Sequence, residues 1–250
     1  MQEFDQVNVK GGDASFTVGT ANCYWWKLFN KDKGQNGRLG KLLAANQPIG
    51  IIGFQETEDI NRVLRDGGLN SHMEGQQHGN ALAIAWDNNV FHAHHESGKE
   101  QIGEDKPGLW GKRYMAWRRF QHKASGKNVW FGVLHGPLPF ESGGSWGNHA
   151  TAKKIIEVKD KTSQKGDITI IVGDFNSNYG HNGNVISLLA EQMDRVKLDQ
   201  DNKGRSDKNP NGWHVDNIFV NKGMNNGSNG WSMGTGGSDH PLIKADIKLK

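Results

Sequence analysis

The sequence has little of what would mark a disulfide-stabilised, membrane-spanning or strongly charged protein. Its single cysteine, Cys23, excludes an internal disulfide bond and leaves the redox compartment open. No apolar run approaches the roughly 20 residues of a membrane helix, and the first residues lack a signal-peptide pattern. The formal net charge is only +3, which permits a phosphate-bearing partner without requiring one. We therefore expect a monomer without a membrane span.

Nothing in the sequence divides its 250 residues into parts. No internal repeat or linker is evident, so we expect one domain over residues 1–250. The 34 glycines and the hydrophobic fraction of 34% indicate many loops around a modest core, as in secreted β-rich enzymes. This favours a secreted or periplasmic protein over a cytoplasmic one. Residues 199–212 and 221–237 are predicted surface loops that shape access to a site.

Apolar strands alternate along the chain with a few amphipathic helices, which is typical of an α/β fold. This order fits either a two-sheet sandwich with helices outside or a doubly wound sheet. Helical spacing predicts helices over residues 38–46, 59–66, 148–161 and 184–196. The predicted strands include residues 17–22, 50–57, 81–86, 129–137, 170–177, 213–220 and 242–250.

Residues 170–177, Ile-Ile-Val-Gly-Asp-Phe-Asn-Ser, place a carboxylate and a carboxamide two apart after a buried strand. Strand alternation predicts that Asp174 and Asn176 point the same way, with Gly173 letting the backbone turn. A carboxylate can activate water or hold a hard cation, and a neutral amide can bond a phosphoryl oxygen. The pair suits phosphate ester hydrolysis, although the same residues are also typical of a turn.

Other predicted strands also begin or end in polar side chains suited to such a site. A carboxylate at the end of an apolar strand is costly to desolvate unless a cation or hydrogen bonds compensate it, which makes Glu56 a metal-ligand candidate rather than a solvated turn residue. A histidine with a pKa near 6.5 can act as acid, base or phosphate clamp. The remaining candidates are Asn22, His135, Asp216, Asp239 and His240.

In chain order, these residues resemble the motifs of the endonuclease/exonuclease/phosphatase superfamily, the fold of pancreatic-type deoxyribonucleases and apurinic endonucleases. The motifs are Asn22, Gln55-Glu56, His135, Gly173-Asp174-Phe175-Asn176, Asp216 and Ser238-Asp239-His240. The resemblance implies a deoxyribonuclease-like four-layer α/β sandwich, a two-layered β-sandwich flanked by helices. It also implies a divalent-metal-dependent phosphoester hydrolase that acts by in-line attack of water. Mg²⁺ or Mn²⁺ is the expected cofactor, with Ca²⁺ as an alternative.

His135 at the third motif is similar to the deoxyribonuclease, toxin-nuclease and sphingomyelinase branches. Two departures from the family pattern stand out. The deoxyribonuclease branch pairs that histidine with a glutamate before the next strand, where this chain has His78-Gly79-Asn80. Some relatives also place an acid soon after the first asparagine, where Cys23-Tyr24-Trp25 stand here.

The resemblance assigns roles to the motif residues of this chain. His135 and His240 face the scissile phosphate, and Asp216 orients His240 as a triad carboxylate orients its histidine. Asp174 aligns or deprotonates the attacking water, and Asn176 binds a non-bridging oxygen. The metal ligands are predicted to be Glu56, Asp239 and Asn22; Asp239 alternatively orients His240, and Asn22 alternatively contacts the phosphate.

The substrate is less determined than the reaction. Trp213 beside a motif and Arg113 are predicted substrate contacts, whereas Trp86, Trp117 and Trp130 are predicted core residues. Residues 137–148 contain no lysine or arginine, which disfavours a duplex-binding nuclease. We expect a phosphodiesterase or nuclease. The alternatives are a secreted phosphatase, a small-molecule or lipid phosphodiesterase, and a non-enzymatic binding module.

Overall fold

The computed structural model describes residues 15–24, 28–29, 37–79, 81–138, 143–177, 182–199 and 215–248. These residues form two facing β-sheets with helices on their outer faces. The predicted two-layered sandwich flanked by helices is therefore confirmed, and the doubly wound single sheet is not what forms. Within the described ranges, no helix is both long enough and apolar enough to span a membrane.

The first sheet has seven strands in the order β10-β12-β13-β1-β2-β4-β3. Its members are β1 (Ser15–Asn22), β2 (Ile51–Gln55), β3 (Met73–His78), β4 (Leu82–Asp87), β10 (Lys197–Leu198), β12 (Asn229–Ser232) and β13 (Ile243–Lys248). Strands β1 and β2 run parallel, and β1 pairs antiparallel with β13. The helices α1 (Arg38–Ala45) and α2 (Ile60–Asp66) cover its outer face.

The second sheet has six strands in the order β5-β6-β7-β8-β11-β9. Its members are β5 (Phe91–Glu104), β6 (Lys112–His122), β7 (Asn128–His135), β8 (Ile168–Asp174), β9 (Met193–Arg195) and β11 (Asp216–Asn221). Strands β7 and β8 run parallel, and β8 pairs antiparallel with β11. The helices α3 (Asn148–Thr162) and α4 (Val185–Gln192) cover its outer face.

Strand alternation divides the apolar side chains into an inner layer and two outer layers. In β8, Ile170 and Val172 point into the core between the sheets, while Ile171 packs toward α3 and α4. In β2, Ile51 belongs to the inner layer and Ile52 to the layer under α1 and α2. Both faces of each central strand are therefore buried, which explains their nearly continuous apolar sequences.

The two sheets approach each other closely at Gly53 of β2. A Cβ atom at this position would lie 2.7 Å from Cγ2 of Val133 and 2.7 Å from Cγ2 of Val172. No side chain fits there without displacing both valines. Glycine at position 53 therefore sets the spacing between β2 and the β7–β8 pair.

The sequence prediction did not include the strands β3, β5, β9, β10 and β12, and in two places it predicted a different structure. The helix predicted over residues 184–196 ends at Gln192, because Met193–Arg195 forms β9 and pairs antiparallel with β11. The loop predicted over residues 221–237 contains β12, which pairs with β13. In both cases a backbone ladder to a distant strand replaces the local preference. Most of the loop predicted over residues 199–212 lies outside the described residues.

Candidate active site

Three polar side chains of the second sheet reach the site by continuing the inner-face alternation of their strands. His135 follows buried Val133 by two positions, and Asp174 follows buried Val172 by two. Asp216 precedes buried Ile218 by two positions. The register makes His135 and Asp216 the direct partners of Asp174 on β7 and β11. The three side chains therefore form one row across the end of the sheet.

In the first sheet, a change in backbone conformation brings Glu56 into the site. Ile52 and Phe54 point toward α1 and α2, so an uninterrupted strand would send Glu56 the same way. Glu56 instead has φ of 52°, and its Oε1 lies 3.3 Å from Nδ2 of Asn22 at the end of β1. The left-handed backbone thus turns this carboxylate toward the cavity.

Strained backbone concentrates at this site. Across the described ranges, three non-glycine residues have positive φ, namely Tyr24 (49°), Glu56 (52°) and Asn176 (47°), and all three line the same cavity. This conformation is uncommon for residues with a Cβ, and such outliers cluster at functional sites. The strain supports a functional role for the cavity, independently of any sequence motif.

Asp174 lies at the centre of the site. Its Oδ2 is 3.1 Å from Nδ2 of Asn22, 3.6 Å from Nε2 of His135 and 3.7 Å from Nε2 of His240, and its Oδ1 accepts the backbone N–H of Asn176 at 2.8 Å. Because β8 ends at Asp174 and Asn176 has a left-handed backbone, these two side chains do not share a face through strand alternation. They nevertheless line one cavity.

His240 is held in its protonated form by carboxylates. Its Nδ1 is 2.8 Å from Oδ2 of Asp216, as predicted for an orienting pair. Burial acts to lower the pKa of His240, but the negative charges of Asp216, Asp174 and Asp239 outweigh it and raise the pKa to about 11. His240 is therefore an imidazolium at neutral pH.

His135, unlike His240, is neutral. Burial, reinforced by the cationic Arg113 and His240 and opposed by Asp174, lowers the pKa of His135 to about 4. The neutral ring lies 3.2 Å from Nη1 of Arg113 through its Nδ1. Arg113 is fixed by buried Asp105, whose Oδ2 is 3.0 Å from its Nε and 2.9 Å from its Nη2. Arg113 is thus a positioned cation on the cavity wall.

The carboxylates of the site fit a divalent cation. Burial raises the pKa of Glu56, and the nearby charges of Asp174 and Asp239 raise it further, so the site concentrates negative charge that a cation would compensate. Oxygen donors of this kind suit Mg²⁺ or Mn²⁺. One oxygen of Asp216, Oδ1, is also buried without a hydrogen-bond partner among the described residues.

Two arrangements of ligands are compatible with these positions. Ligand atoms of Asp174, Asp216 and His240 lie within 4.8 Å of one another. His240 already bonds Asp216 and is protonated, which disfavours it as a ligand. The predicted ligands Glu56 and Asp239 are near enough for the charge of Asp239 to raise the pKa of Glu56, and Asp239 is exposed and not among the residues that line the cavity. The amide oxygen of Asn22 accepts the backbone N–H of Tyr24 at 2.9 Å, and its nitrogen faces the carboxylates. Asn22 as a metal ligand stays a prediction.

The site opens into a cavity of about 740 Å³. Of the predicted site residues, Glu56, Arg113, His135, Asp174, Asn176 and His240 line it, and Asn22 and Asp216 are buried behind them. Sequence reasoning missed several lining residues, including Tyr24, His78, Lys99, Trp110 and Tyr114. Two of them carried a signal, because His78 stands where the deoxyribonuclease branch has a glutamate and Tyr24 stands where some relatives have an acid.

None of the described tryptophans named in the sequence analysis lines the cavity. Trp213 is outside the described residues. Trp86 and Trp130 are core residues as predicted, and Trp117 is half-buried. The two arginines next to Trp117 have structural partners: Arg119 is buried between Asp167 and Glu96, and Arg118 bonds Gln76 and the His94 carbonyl while stacking over Trp86.

Sequence comparison gives one family. Residues 6–240 match the Endonuclease/Exonuclease/phosphatase family. No curated protein matches the chain.

Solved structures share the fold at low sequence identity. An endonuclease/exonuclease/phosphatase family protein from Bacteroides thetaiotaomicron aligns with a TM-score of 0.72 and 16% identity over 96% of this chain and 99% of its own. A mannosyl-6-phosphatase from the same organism aligns at 0.67 and 17% over 92% and 98%. D. rerio TDP2 complexed with a single-strand DNA product aligns at 0.64 and 17% over 94% and 99%.

Proposed function

The chain belongs to the endonuclease/exonuclease/phosphatase family, and we propose that it is a divalent-metal-dependent hydrolase that cleaves a phosphodiester by in-line attack of water. One observation carries the proposal. Asp174 lies between a neutral histidine and a protonated one, with the strained Glu56 beside it. This arrangement offers a proton acceptor for water, a donor for phosphoryl oxygens and oxygen ligands for a cation in one cavity.

Each side chain has a distinct part in this reaction. Asp174 accepts a hydrogen bond from the attacking water and draws away its proton. Protonated His240 donates from Nε2 to a non-bridging oxygen, and Asp216 holds the ring in position. Asn176 donates one amide hydrogen to the Gly136 carbonyl and has a second for the phosphate. Arg113 adds a permanent positive charge at the cavity wall.

A cation held by Glu56 and Asp239 would neutralise charge that develops on the phosphoryl oxygens and the leaving group. Burial and, to a smaller extent, the charges of Asp174 and Asp239 raise the pKa of Glu56, which supports this role. Mg²⁺ and Mn²⁺ both match the oxygen donors.

We favour a substrate of nucleotide size. A cavity of about 740 Å³ lies within the usual range for small-molecule sites. Arg118 and Arg119, the paired cations nearest in sequence to Arg113, are engaged by other side chains. His135 at the third motif supports a phosphodiester. The similarity to a mannosyl-6-phosphatase makes a phosphomonoester the second candidate.

Chelation and one substitution test the metal-dependent reaction. We expect EDTA to abolish hydrolysis of a 4-nitrophenyl phosphodiester, and Mg²⁺ or Mn²⁺ to restore it. Glu56→Gln keeps the shape of the side chain and removes its charge, so turnover should fall about 10²-fold or more. Glu58→Gln removes the same charge from an exposed cavity residue and should change turnover little. Near-wild-type turnover of Glu56→Gln at saturating metal would refute the assignment.

A further inference from the structure

We propose that the arm of the cavity between β3 and β6 is a subsite for a second anionic group of the substrate, bound by His78, Lys99 and Lys112. The proposal rests on the proposed function, because it places the scissile phosphate at Asp174 and Glu56. The substrate is then a nucleotide-sized phosphoester that carries a second phosphate.

Strand order separates the two ends of the cavity. Asp174 and Glu56 belong to the central strands of the two sheets, β8 and the end of β2. His78 ends β3 at the edge of the first sheet, and Lys99 belongs to β5 at the edge of the second. All four line one cavity. A substrate held at the acidic centre therefore extends toward the basic edge.

Lys99 presents an ammonium group that the fold positions without a carboxylate. Its Nζ lies 4.8 Å from the centre of the Tyr114 ring, a cation–π contact. A Cβ at Gly79 would come within 2.8 Å of the same nitrogen, so the glycine leaves room for it. No ion pair of Lys99 occurs within the part of the chain that the structure describes. Lys112 and Tyr114 follow each other on one face of β6.

His78 supplies a second, independent observation. Its Nε2 is buried and has no hydrogen-bond partner among the described residues. Burial, together with the positive charges of Arg118 and Lys99, lowers the pKa of His78 to about 4. A neutral imidazole can donate one N–H, and leaving a buried polar atom unpaired is unfavourable by about 1–3 kcal/mol. His78 lines the cavity but Nε2 itself is closed to solvent, so the ring must turn to present this N–H to an anion in the arm, which both cations would also stabilise.

The charges on the cavity wall select an anion over a cation or a neutral group. Among the described residues, the carboxylates that line the cavity are Glu56, Asp174 and the exposed Glu58, whose neighbour Thr57 accepts a hydrogen bond from Gln77 of β3. The lining residues on β3, β5 and β6 that we assign to the arm are His78, Lys99, Lys112 and Tyr114. Glu104 is the cross-strand partner of Lys112, so Lys99 and His78 are the stronger determinants.

A matched pair of substrates tests the subsite through kinetics. Thymidine 5′-(4-nitrophenyl phosphate) is compared with its 3′-phosphorylated form, which adds one anionic group. We expect Lys99→Gln to raise KM for the 3′-phosphorylated ester about tenfold, with kcat unchanged, because the lost contact is remote from the scissile bond. KM for the other ester should not change. His78→Phe should show the same pattern.

Lys165→Gln is the control, because it removes the same charge from an exposed lysine far from the site. Lys165 lies just before the start of β8, and Asp174 lies at the other end of that strand. A third ester, in which the 3′-phosphate links to a second thymidine, distinguishes a terminal phosphate from the next phosphate of a nucleic acid strand. A KM effect of Lys99→Gln on either phosphate supports the subsite. Equal KM changes for all three esters, or none, would overturn it.

Equilibrium binding separates this proposal from the proposed function. We expect calorimetry to show wild-type protein binding thymidine 3′,5′-bisphosphate about tenfold more tightly than thymidine 5′-monophosphate, and Lys99→Gln to remove that preference. If no ester is hydrolysed but the preference is present and lost in Lys99→Gln, the hydrolase proposal fails and the subsite stands. Equal affinities in the wild-type protein would overturn the subsite even if hydrolysis is observed.

Discussion

At the level of single residues, the two histidines on either side of Asp174 differ in protonation state, one being neutral and the other cationic, for physical reasons that the structure shows. His135 is buried next to the cationic Arg113, so its neutral form is favoured. His240 is also buried, but Asp216 bonds its ring and Asp174 and Asp239 add negative charge. One residue type therefore provides an uncharged group and a cation within 3.6 and 3.7 Å of the same carboxylate.

A double-mutant cycle tests the pairing of Asp216 with His240. We expect Asp216→Asn and His240→Ala each to lower kcat about 10²-fold or more, because both remove the oriented imidazolium. The double variant should be no slower than His240→Ala, since Asp216 acts through His240. Steady-state kinetics measures the effects, and thermal unfolding verifies that each variant is folded. Multiplicative losses in the double variant would show that Asp216 acts independently.

At the level of elements, strand ends determine where the chemistry lies. Parallel β7 and β8 and antiparallel β11 bring His135, Asp174 and Asp216 into one row, because the register aligns them as partners. Opposite this row, β1 and β2 end at Asn22 and Gln55, which are also register partners. The distance between the two rows depends on how closely the sheets pack, and Gly53 limits that distance.

Gly53→Ala tests this spacing. The added methyl would lie 2.7 Å from Val133 and Val172, so we expect a loss of unfolding free energy of about 1–3 kcal/mol. Val133→Ala alone leaves a cavity and should also destabilise the protein. Combining both changes relieves part of the overlap, so the double variant should lose less than the sum of the single losses. Chemical denaturation measures each value, and a strictly additive result would contradict close contact between the sheets here.

At the level of the whole molecule, charge is arranged locally rather than spread over a binding face. The formal net charge of +3 is small, and the cationic side chains on the cavity wall, among the described residues, are Lys99, Lys112, Arg113 and the protonated His240. Arg119 instead bonds Asp167 and Glu96, which stabilises the β6 region. This distribution fits a compact phosphoester better than a long duplex, whose affinity depends on many phosphate contacts.

The salt dependence of hydrolysis tests this inference. Each phosphate contact on a duplex makes affinity fall by about 0.9 log units per log unit of salt. Between about 50 and 200 mM salt, we expect KM for a thymidine phosphodiester to change only slightly and plasmid cleavage to be slow with a slope below about 3. Arg118→Ala should leave hydrolysis of the small ester nearly unchanged, because Arg118 faces Trp86 and Gln76. A slope near 6 or more for efficient plasmid cleavage would instead indicate a nuclease that binds long DNA.

The sequence by itself determined the strands β1, β2, β4, β7, β8, β11 and β13 and the order of the polar residues at their ends, but it did not predict β3, β5, β9, β10 or β12. Apolar runs and strand alternation are local properties of the chain, so they predict β7, β8 and β11 and place His135, Asp174 and Asp216 at their ends. The same local information failed for Met193–Arg195, where a ladder to β11 replaces the end of a helix.

Only the tertiary structure decided which of these residues meet and in which charge state. Asn22 and Asp174 are 152 positions apart in the sequence yet form a 3.1 Å hydrogen bond. Burial and neighbouring charges set the pKa of His135 and of His240, and neither quantity exists until both sheets pack together. For the same reason the sequence did not reveal Lys99 as part of the cavity. Its role depends on two edge strands that come into contact only in the folded chain.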